Sequence, residues 1–113
     1  MIQYKKDMTT ETVPGPRGGK GEAVMTALLP ELPPNVTLCK RILLAPGCSV
    51  GEHPHEGNAE IYLPVKGTFV ITDDGQEYTV SAGDAHCCFS GHTHAIENRG
   101  DEDAEFIAVI ITG

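Results

Sequence analysis

Residues 47–60, which read GCSVGEHPHEGNAE, decide the fold of this chain. His53 and His55 are two residues apart, so on an extended strand their side chains point to the same side and can reach one point. Glu60 follows five residues later, and the intervening Gly57–Asn58 pair permits a turn that folds the carboxylate back toward the imidazoles. The stretch therefore predicts two histidines and a glutamate at a common site.

A second stretch, residues 83–98, reads GDAHCCFSGHTHAIEN and supplies a further histidine, His94, which we expect to arrive from a neighbouring strand. Three imidazoles and one carboxylate suit a divalent first-row metal such as Mn, Fe, Co, Ni or Zn. In an octahedral ion, these four ligands would leave two positions for water, dioxygen or a chelating substrate. Because coordination needs neutral imidazoles, metal affinity is expected to fall below about pH 6.

The composition indicates one small domain. The chain has 113 residues, and its 8 Lys+Arg against 16 Asp+Glu give a net charge of −8. With no basic stripe to offset this charge, nucleic acid is not expected as a partner. The sequence shows no secretory signal and no run of about 20 apolar residues, so we predict a cytoplasmic protein without membrane attachment. Its four cysteines contain no C-x-x-C and are expected to be reduced and buried.

Short apolar runs separated by 13 Gly and 8 Pro predict an all-β sandwich or barrel. The predicted strands cover residues 23–29, 36–45, 61–65, 68–72, 76–80, 93–98 and 104–112. Asp73-Asp74-Gly75 predicts a hairpin turn, and Arg99-Gly100-Asp101 predicts a second hairpin. Pro64 cannot donate a ladder hydrogen bond, so it marks an edge, a bulge or a break in its strand.

The two ends of the chain differ in character. Residues 1–22, rich in Gly and Pro toward their end, are predicted to form an irregular arm, and residues 23–113 the β-domain. The last strand, residues 104–112, is apolar on both faces, so we expect it to lie between two sheets or against a partner. This strand and the small size of the domain together predict a homodimer.

The two histidine stretches resemble the two motifs of the cupin family. The first motif, G-x5-H-x-H-x3,4-E-x6-G, is met by Gly47, His53, His55, Glu60 and Gly67. The second, G-x5-P-x-G-x2-H-x3-N, is met by Gly83, Gly91, His94 and Asn98, with Phe89 in place of the proline. The resemblance implies a double-stranded β-helix, the jelly-roll barrel of the cupins, as a single domain with one metal inside it. Its metal ligands would be His53, His55, Glu60 and His94.

Two further segments, Arg17–Gly21 and Glu60–Tyr62, are similar to those of small single-domain bacterial cupins. Some members of that group are compared with oxalate decarboxylases, so the resemblance points toward small acids. Tyr62 shares its strand parity with Glu60 and is a candidate for substrate binding or for the packed core. Arg41 is a candidate for binding a substrate carboxylate or is an exposed edge charge.

The remaining histidines fall outside the motif pattern. We expect His86 to have a hydrogen-bonded structural role and His92 to lie in an exposed turn. Two functions are compatible with these residues. The chain is either a metal-dependent enzyme acting on a small oxygenated substrate by dioxygenation, decarboxylation or isomerisation, or a non-catalytic module that binds a metal and a small carboxylate or sugar.

Overall fold

A computed structural model describes residues 1–113 and consists of ten β-strands and two short 3-10 helices. The strands are β1 (Thr10–Pro14), β2 (Glu22–Ala27), β3 (Val36–Leu44), β4 (Ser49–Pro54), β5 (Asn58–Lys66), β6 (Thr68–Asp73), β7 (Gln76–Ser81), β8 (His86–Cys88), β9 (Thr93–Glu97) and β10 (Ala104–Thr112). The 3-10 helices cover Lys5–Asp7 and Pro16–Gly18. Neither has the length or the apolar character needed to cross a membrane.

The strands form two antiparallel sheets. One has six strands in the order β1-β2-β3-β10-β5-β8, and the other has four in the order β4-β9-β6-β7. From β3 to β6 and again from β7 to β10, each strand lies in the sheet opposite the strand before it. This alternation winds the chain around a common core as a jelly roll, which confirms the predicted all-β, double-stranded β-helix.

The core lies between the sheets and is formed by alternate residues of the strands. Phe106 of β10 is fully buried, and its ring contacts Tyr62 of β5 and Phe69 of β6 with centroid distances of 4.8 and 5.2 Å. Both contacts are edge-to-face, the arrangement that aromatic rings prefer. Because Tyr62 and Phe69 belong to different sheets, Phe106 joins the two layers beside the site described below.

The predicted hairpin turn at Asp74-Gly75 is confirmed. Both residues have positive φ, 48° and 84°, and they join β6 to β7 in continuous register. Pro64 of β5 lies at a bulge, since the register between β5 and β10 shifts between Glu105 and Phe106. Of the three alternatives for Pro64, the bulge is therefore the one observed.

The predicted hairpin at residues 99–101 is wrong. Strand β9 pairs with β4 and β6, whereas β10 pairs with β3 and β5, so this segment crosses from one sheet to the other. The buried side chain of Asn98 stabilises the crossing: its amide nitrogen donates to the carbonyl oxygens of Leu44 and Glu102, both at 2.8 Å. Its side-chain oxygen accepts from the backbone N–H of Gly100 at 2.9 Å.

The apolar last strand lies within the larger sheet, between β3 and β5, rather than between two sheets. Its inner residues Ala104, Phe106 and Ala108 enter the core. On the outer face Ile107 is half-buried and Ile111 is 40% exposed. No partner chain is needed to explain the inner face, and the homodimer stays a prediction.

The prediction of an irregular N-terminal arm is corrected for residues 10–14, since β1 pairs with β2 and extends the larger sheet. The following loop, residues 15–21, docks on β4 through a close approach of two glycines. A Cβ on Gly51 would lie 2.2 Å from the carbonyl oxygen of Arg17, and one on Gly19 would lie 2.1 Å from that of Ser49. The arm is thus held by contacts that only glycine permits at these two positions.

We predict that Gly51→Ala destabilises the fold by about 1–3 kcal/mol, because the added methyl group must displace the backbone of the docked loop. Urea unfolding measures the loss, and hydrogen exchange locates it at residues 15–21. Gly100→Ala is the matched control: the nearest atom to its Cβ is Asn98 Oδ1 at 3.3 Å, so we expect only a small change. Equal stability of the Gly51 and Gly100 variants would contradict the docking argument.

Candidate metal centre

The four predicted ligands come together inside the barrel. His53 is the second-last residue of β4, and His55 directly follows that strand. His94 of β9 is the cross-strand neighbour of His53. Glu60 comes from β5 in the opposite sheet. All four are buried, with at most 6% exposed, and their ligand atoms lie within 4.8 Å of one another. The group therefore bridges the two sheets of the jelly roll.

The ligand atoms converge closely. Glu60 Oε1 lies 3.3, 3.1 and 2.9 Å from the Nε2 atoms of His53, His55 and His94. The Nε2 atom of His94 lies 3.0 Å from that of His53 and 3.1 Å from that of His55. Bonds of about 2.1 Å that meet at right angles on one ion place adjacent ligand atoms about 3.0 Å apart. The observed separations therefore have the size expected for neighbouring ligands of a single ion.

Hydrogen bonds on the far side of two rings determine what the group can bind. His53 Nδ1 lies 2.8 Å from the carbonyl oxygen of Gly51, which can only accept, so the neutral ring carries its proton there. His55 Nδ1 likewise lies 2.9 Å from Asn58 Oδ1. The Nε2 atoms of both rings then carry no proton, and their lone pairs point toward each other and toward the Glu60 carboxylate. A divalent cation fits such a donor set, because it alone satisfies all of these lone pairs at once.

The ionisation of the group agrees with this donor set. Burial tends to raise the pKa of Glu60, but hydrogen bonds with His53 and His94 and their charges outweigh it and lower the pKa to about 2. Burial lowers the pKa of His94, and the Glu60 carboxylate only partly opposes that shift. At neutral pH the site therefore presents an ionised carboxylate and a neutral His94, the protonation states that metal binding requires.

A small pocket opens above the ligand group. It has a volume of about 220 Å³ and reaches His53, Glu60 and Tyr62. Its apolar walls are formed by Val13, Met25, Leu38, Ile42, Val50 and Ile110. This volume is smaller than the roughly 300–1,000 Å³ of pockets for drug-sized ligands, so the pocket suits a small molecule.

The structure places Tyr62 both in the packed core and at the wall of the pocket, and its role in substrate binding stays a prediction. It is 1% exposed and packs in the core, and its ring stacks on His94 with a centroid distance of 4.5 Å and an angle of 10°. It also lines the pocket. Burial, together with the Glu60 carboxylate, raises the pKa of Tyr62 well above its ordinary value. Tyr62 therefore fixes the plane of the His94 ring and keeps its phenol proton.

His86 has the hydrogen-bonded role that its position outside the motifs suggested. It points into the barrel, where its Nε2 lies 3.2 Å from Nδ1 of His94. Its other nitrogen, Nδ1, lies 3.7 Å from the Asp73 carboxylate. When Nδ1–H of the neutral His94 ring donates to His86 Nε2, the Nε2 lone pair of His94 is directed at the ligand group, so His86 orients this ligand from behind.

Other candidate residues lie away from the pocket. Arg41 projects from the outer face of β3 and lines a separate depression with Lys5 and Glu105, so the structure does not bring it to the ligand group. His92 is exposed, as expected, and pairs with Asp74. His92, Asp74 and Asp73 form a second group of closely spaced potential metal ligands, but this group is largely exposed.

The four cysteines are free thiols. Cys88 is fully buried, and burial raises its pKa to about 11, which keeps it uncharged. Cys39, Cys48 and Cys87 are only half-buried, so the expectation of burial holds for one of the four.

Sequence reasoning missed Arg17, which lines the pocket above the ligands. Its position could not be read from spacing, because the N-terminal loop reaches the pocket only through docking on β4. The available signal was a cation beside Gly18-Gly19 in a segment that resembles those of small single-domain bacterial cupins.

We predict that His86→Ala lowers metal affinity by about 10- to 100-fold, because His94 loses the partner that fixes its tautomer and orientation. Competition with a coloured chelator measures the affinity, and the absorption spectrum of the Co²⁺-loaded protein reports the altered geometry. His92→Ala is the control, since its side chain pairs with Asp74 and contacts no ligand. Equal affinities of the two variants would show that His86 does not support the site.

Comparisons with known proteins agree with this geometry. The family model described as "Cupin domain" matches residues 40–110. The chain is 42% identical over 113 residues to the "Oxalate-binding protein" of Thermotoga maritima, covering 98% of this chain and 93% of that protein.

Solved structures give the same result. A predicted oxalate decarboxylase from Thermotoga maritima superposes with a TM-score of 0.94 at 42% identity, covering all of both chains. KdgF from Halomonas sp. superposes with a TM-score of 0.82 at 18% identity, covering 100% of this chain and 95% of that one, and so shares the fold. The matched domain, the close relative and the buried three-histidine, one-glutamate group together show that this chain belongs to the cupin family.

Proposed function

We propose that the chain binds one divalent transition metal, drawn from Mn, Fe, Co, Ni and Zn, and acts as a metal-dependent enzyme on a small oxygenated acid. The observation that carries this proposal is the convergence of buried lone pairs from His53, His55 and His94 beside the Glu60 carboxylate. The group faces a pocket rather than the closed core, so a bound ion is accessible to a small ligand.

The bound metal would serve as a Lewis acid and template, or as the site of dioxygen activation. The chain itself supplies three functions around it. The histidines and Glu60 hold the ion, and the ring of Tyr62 keeps His94 in place from one side. The apolar walls limit water at the ligand group and so strengthen electrostatic interactions there. The raised pKa of Tyr62 keeps its phenol protonated, as a donor beside Glu60.

A small carboxylate is the ligand class that we favour. The relative at 42% identity bears the name "Oxalate-binding protein", and the structure at the same identity is that of a predicted oxalate decarboxylase. An acid with a chelating oxygen suits the two positions that an octahedral ion would keep beyond four protein ligands. Dioxygenation, decarboxylation and isomerisation are all compatible with this arrangement.

A second candidate function is non-catalytic binding of the metal with a small carboxylate or sugar. The observation that favours it is the scarcity of proton-transfer groups in the pocket. Apart from the ligands, the titratable groups that line it are Tyr62 and Arg17, and the raised pKa of Tyr62 keeps its phenol from giving up a proton near neutral pH. A module that only holds its ligand needs no such group.

Metal binding is tested by the double variant His53→Ala/His55→Ala, which removes two of the three imidazoles. We expect it to retain less than about a tenth of the metal that the wild-type protein holds after dialysis, as measured by elemental analysis. The double variant His92→Ala/Arg41→Ala, which alters residues outside the ligand group, should hold as much as wild type. Wild-type metal content in the first variant would refute the assigned site.

Catalysis is tested by reconstituting the protein separately with each of the five metals. Each form is offered oxalate, other short carboxylic acids, catechols, β-diketones and sugars, and product is followed by mass spectrometry. We expect turnover of an acid by at least one metal form, and none by the His53→Ala/His55→Ala variant. Tight binding of an acid without turnover by any form would establish the binding module instead.

A further inference from the structure

The pocket above the ligand group contains a single cationic side chain, Arg17. The other candidates are engaged or placed elsewhere. Lys20 pairs with Glu97 at 3.0 Å, Lys40 pairs with Glu11 at 3.1 Å, and Arg99 pairs with Glu77 and Glu97. The guanidinium of Arg17 forms neither a hydrogen bond nor an ion pair within the chain, so it is free to bind an anion that enters the pocket.

The backbone, rather than a side-chain partner, places Arg17 at the pocket. Arg17 has φ 53° and ψ 33°, a left-handed conformation that is unfavourable for a residue with a side chain. The loop around it is held to β4 by reciprocal hydrogen bonds: Lys20 N–H donates to Ser49 Oγ at 2.9 Å, and Ser49 N–H donates to the Lys20 carbonyl at 3.0 Å. The close approach of Gly19 and Gly51 completes the docking. A strained residue in so firmly held a loop is typical of a functional position.

The two charged ends of the pocket differ in depth. Glu60 and His53 are 5% and 6% exposed at the inner end, whereas Arg17 is an exposed residue. Aliphatic side chains such as Leu38 and Ile110 line the same pocket. The pocket is thus polar at each end and apolar along its walls.

The charges of the site favour a dianion. A divalent ion and the Glu60 carboxylate together carry one positive charge, and Arg17 adds a second. A ligand with two negative charges neutralises both, which matters in a chain whose net charge of −8 otherwise repels anions. A single carboxylate would leave one of the positive charges unpaired.

We infer that Arg17 forms a second anion subsite, so that the pocket binds a short dicarboxylate with one carboxylate at the metal end, a hydrocarbon spacer along the aliphatic walls and the other carboxylate at Arg17. This inference rests on the proposed binding of metal and carboxylate. It adds to that proposal the residue that recognises the distal carboxylate and the need for a spacer. Arg17, rather than Arg41, is then the arginine that selects the ligand.

The test uses the full chain loaded with Zn²⁺, which has no redox chemistry, and isothermal titration with matched acids. Malonate is compared with propionate and succinate with butyrate, so that each pair has the same number of carbons. We expect each dicarboxylate to bind about 10- to 100-fold more tightly than its monocarboxylate partner, the range expected for one charge-assisted hydrogen-bonding contact. Oxalate, which has no spacer, should bind more weakly than malonate or succinate.

Arg17→Gln removes the charge and keeps most of the side-chain length. It should abolish the preference for dicarboxylates while leaving monocarboxylate and Zn²⁺ affinities as in wild type. Arg17→Lys keeps the charge but loses the planar fork and should retain part of the preference. Arg41→Gln makes the same change in charge on the outer face and should bind every acid as wild type does.

The outcomes separate this inference from the proposed function. If the Zn²⁺-loaded wild type binds none of the acids, the proposed carboxylate site fails. If it binds them but Arg17→Gln keeps the full dicarboxylate preference, or if no such preference exists, only the role of Arg17 is overturned. Oxalate binding as tight as that of malonate and succinate would overturn the spacer.

Discussion

The structure depends on one buried site where the hydrogen-bond acceptors of His53, His55, Glu60 and His94 converge. Two imidazoles donate their only protons outward, to Gly51 and Asn58, and so direct bare nitrogen atoms toward His94 and the Glu60 carboxylate. Without a cation, none of the four ligand side chains has a proton to offer the others in these protonation states. The barrel holds it because the ligands come from rigid strands of both sheets, and burial of Phe106 beside the site fixes the spacing between those sheets. The metal group and the fold therefore depend on each other.

Most of the ligand set could be predicted from sequence because it depends on short-range geometry. Alternation along the extended chain at the end of β4 places His53 beside His55, and a single turn returns Glu60. The sheet register, in which His53 lies opposite His94, was anticipated only as a neighbouring strand. Turn chemistry was equally local, since Asp74 and Gly75 adopt the positive φ that their hairpin requires.

The errors arose where the position of a residue depends on distant parts of the chain. Asn98 is a motif residue, yet its role in carrying the chain from one sheet to the other depends on the carbonyl of Leu44, more than fifty residues earlier. Arg41 was a candidate for the pocket but lies on the outer face of β3, whereas its neighbour Ile42 faces the core. Because side chains alternate along a strand, an error of one residue in the predicted facing moves a side chain from the pocket to the outer surface. Strand β1 was missed because its pairing with β2 lies beyond a loop rich in Gly and Pro.

The same contrast between local and distant contacts bears on how specificity arises in this barrel. The motif residues define a site for an ion but supply only one anionic and three neutral ligands, a set that does not by itself distinguish one acid from another. Selection must come from groups that share the pocket without touching the ion. Here those groups are the aliphatic walls and Arg17, and Arg17 is brought to the pocket by a loop that only two close-packed glycines allow to dock. A change in that loop would alter ligand choice while leaving the metal group intact, because the loop supplies none of the four ligands.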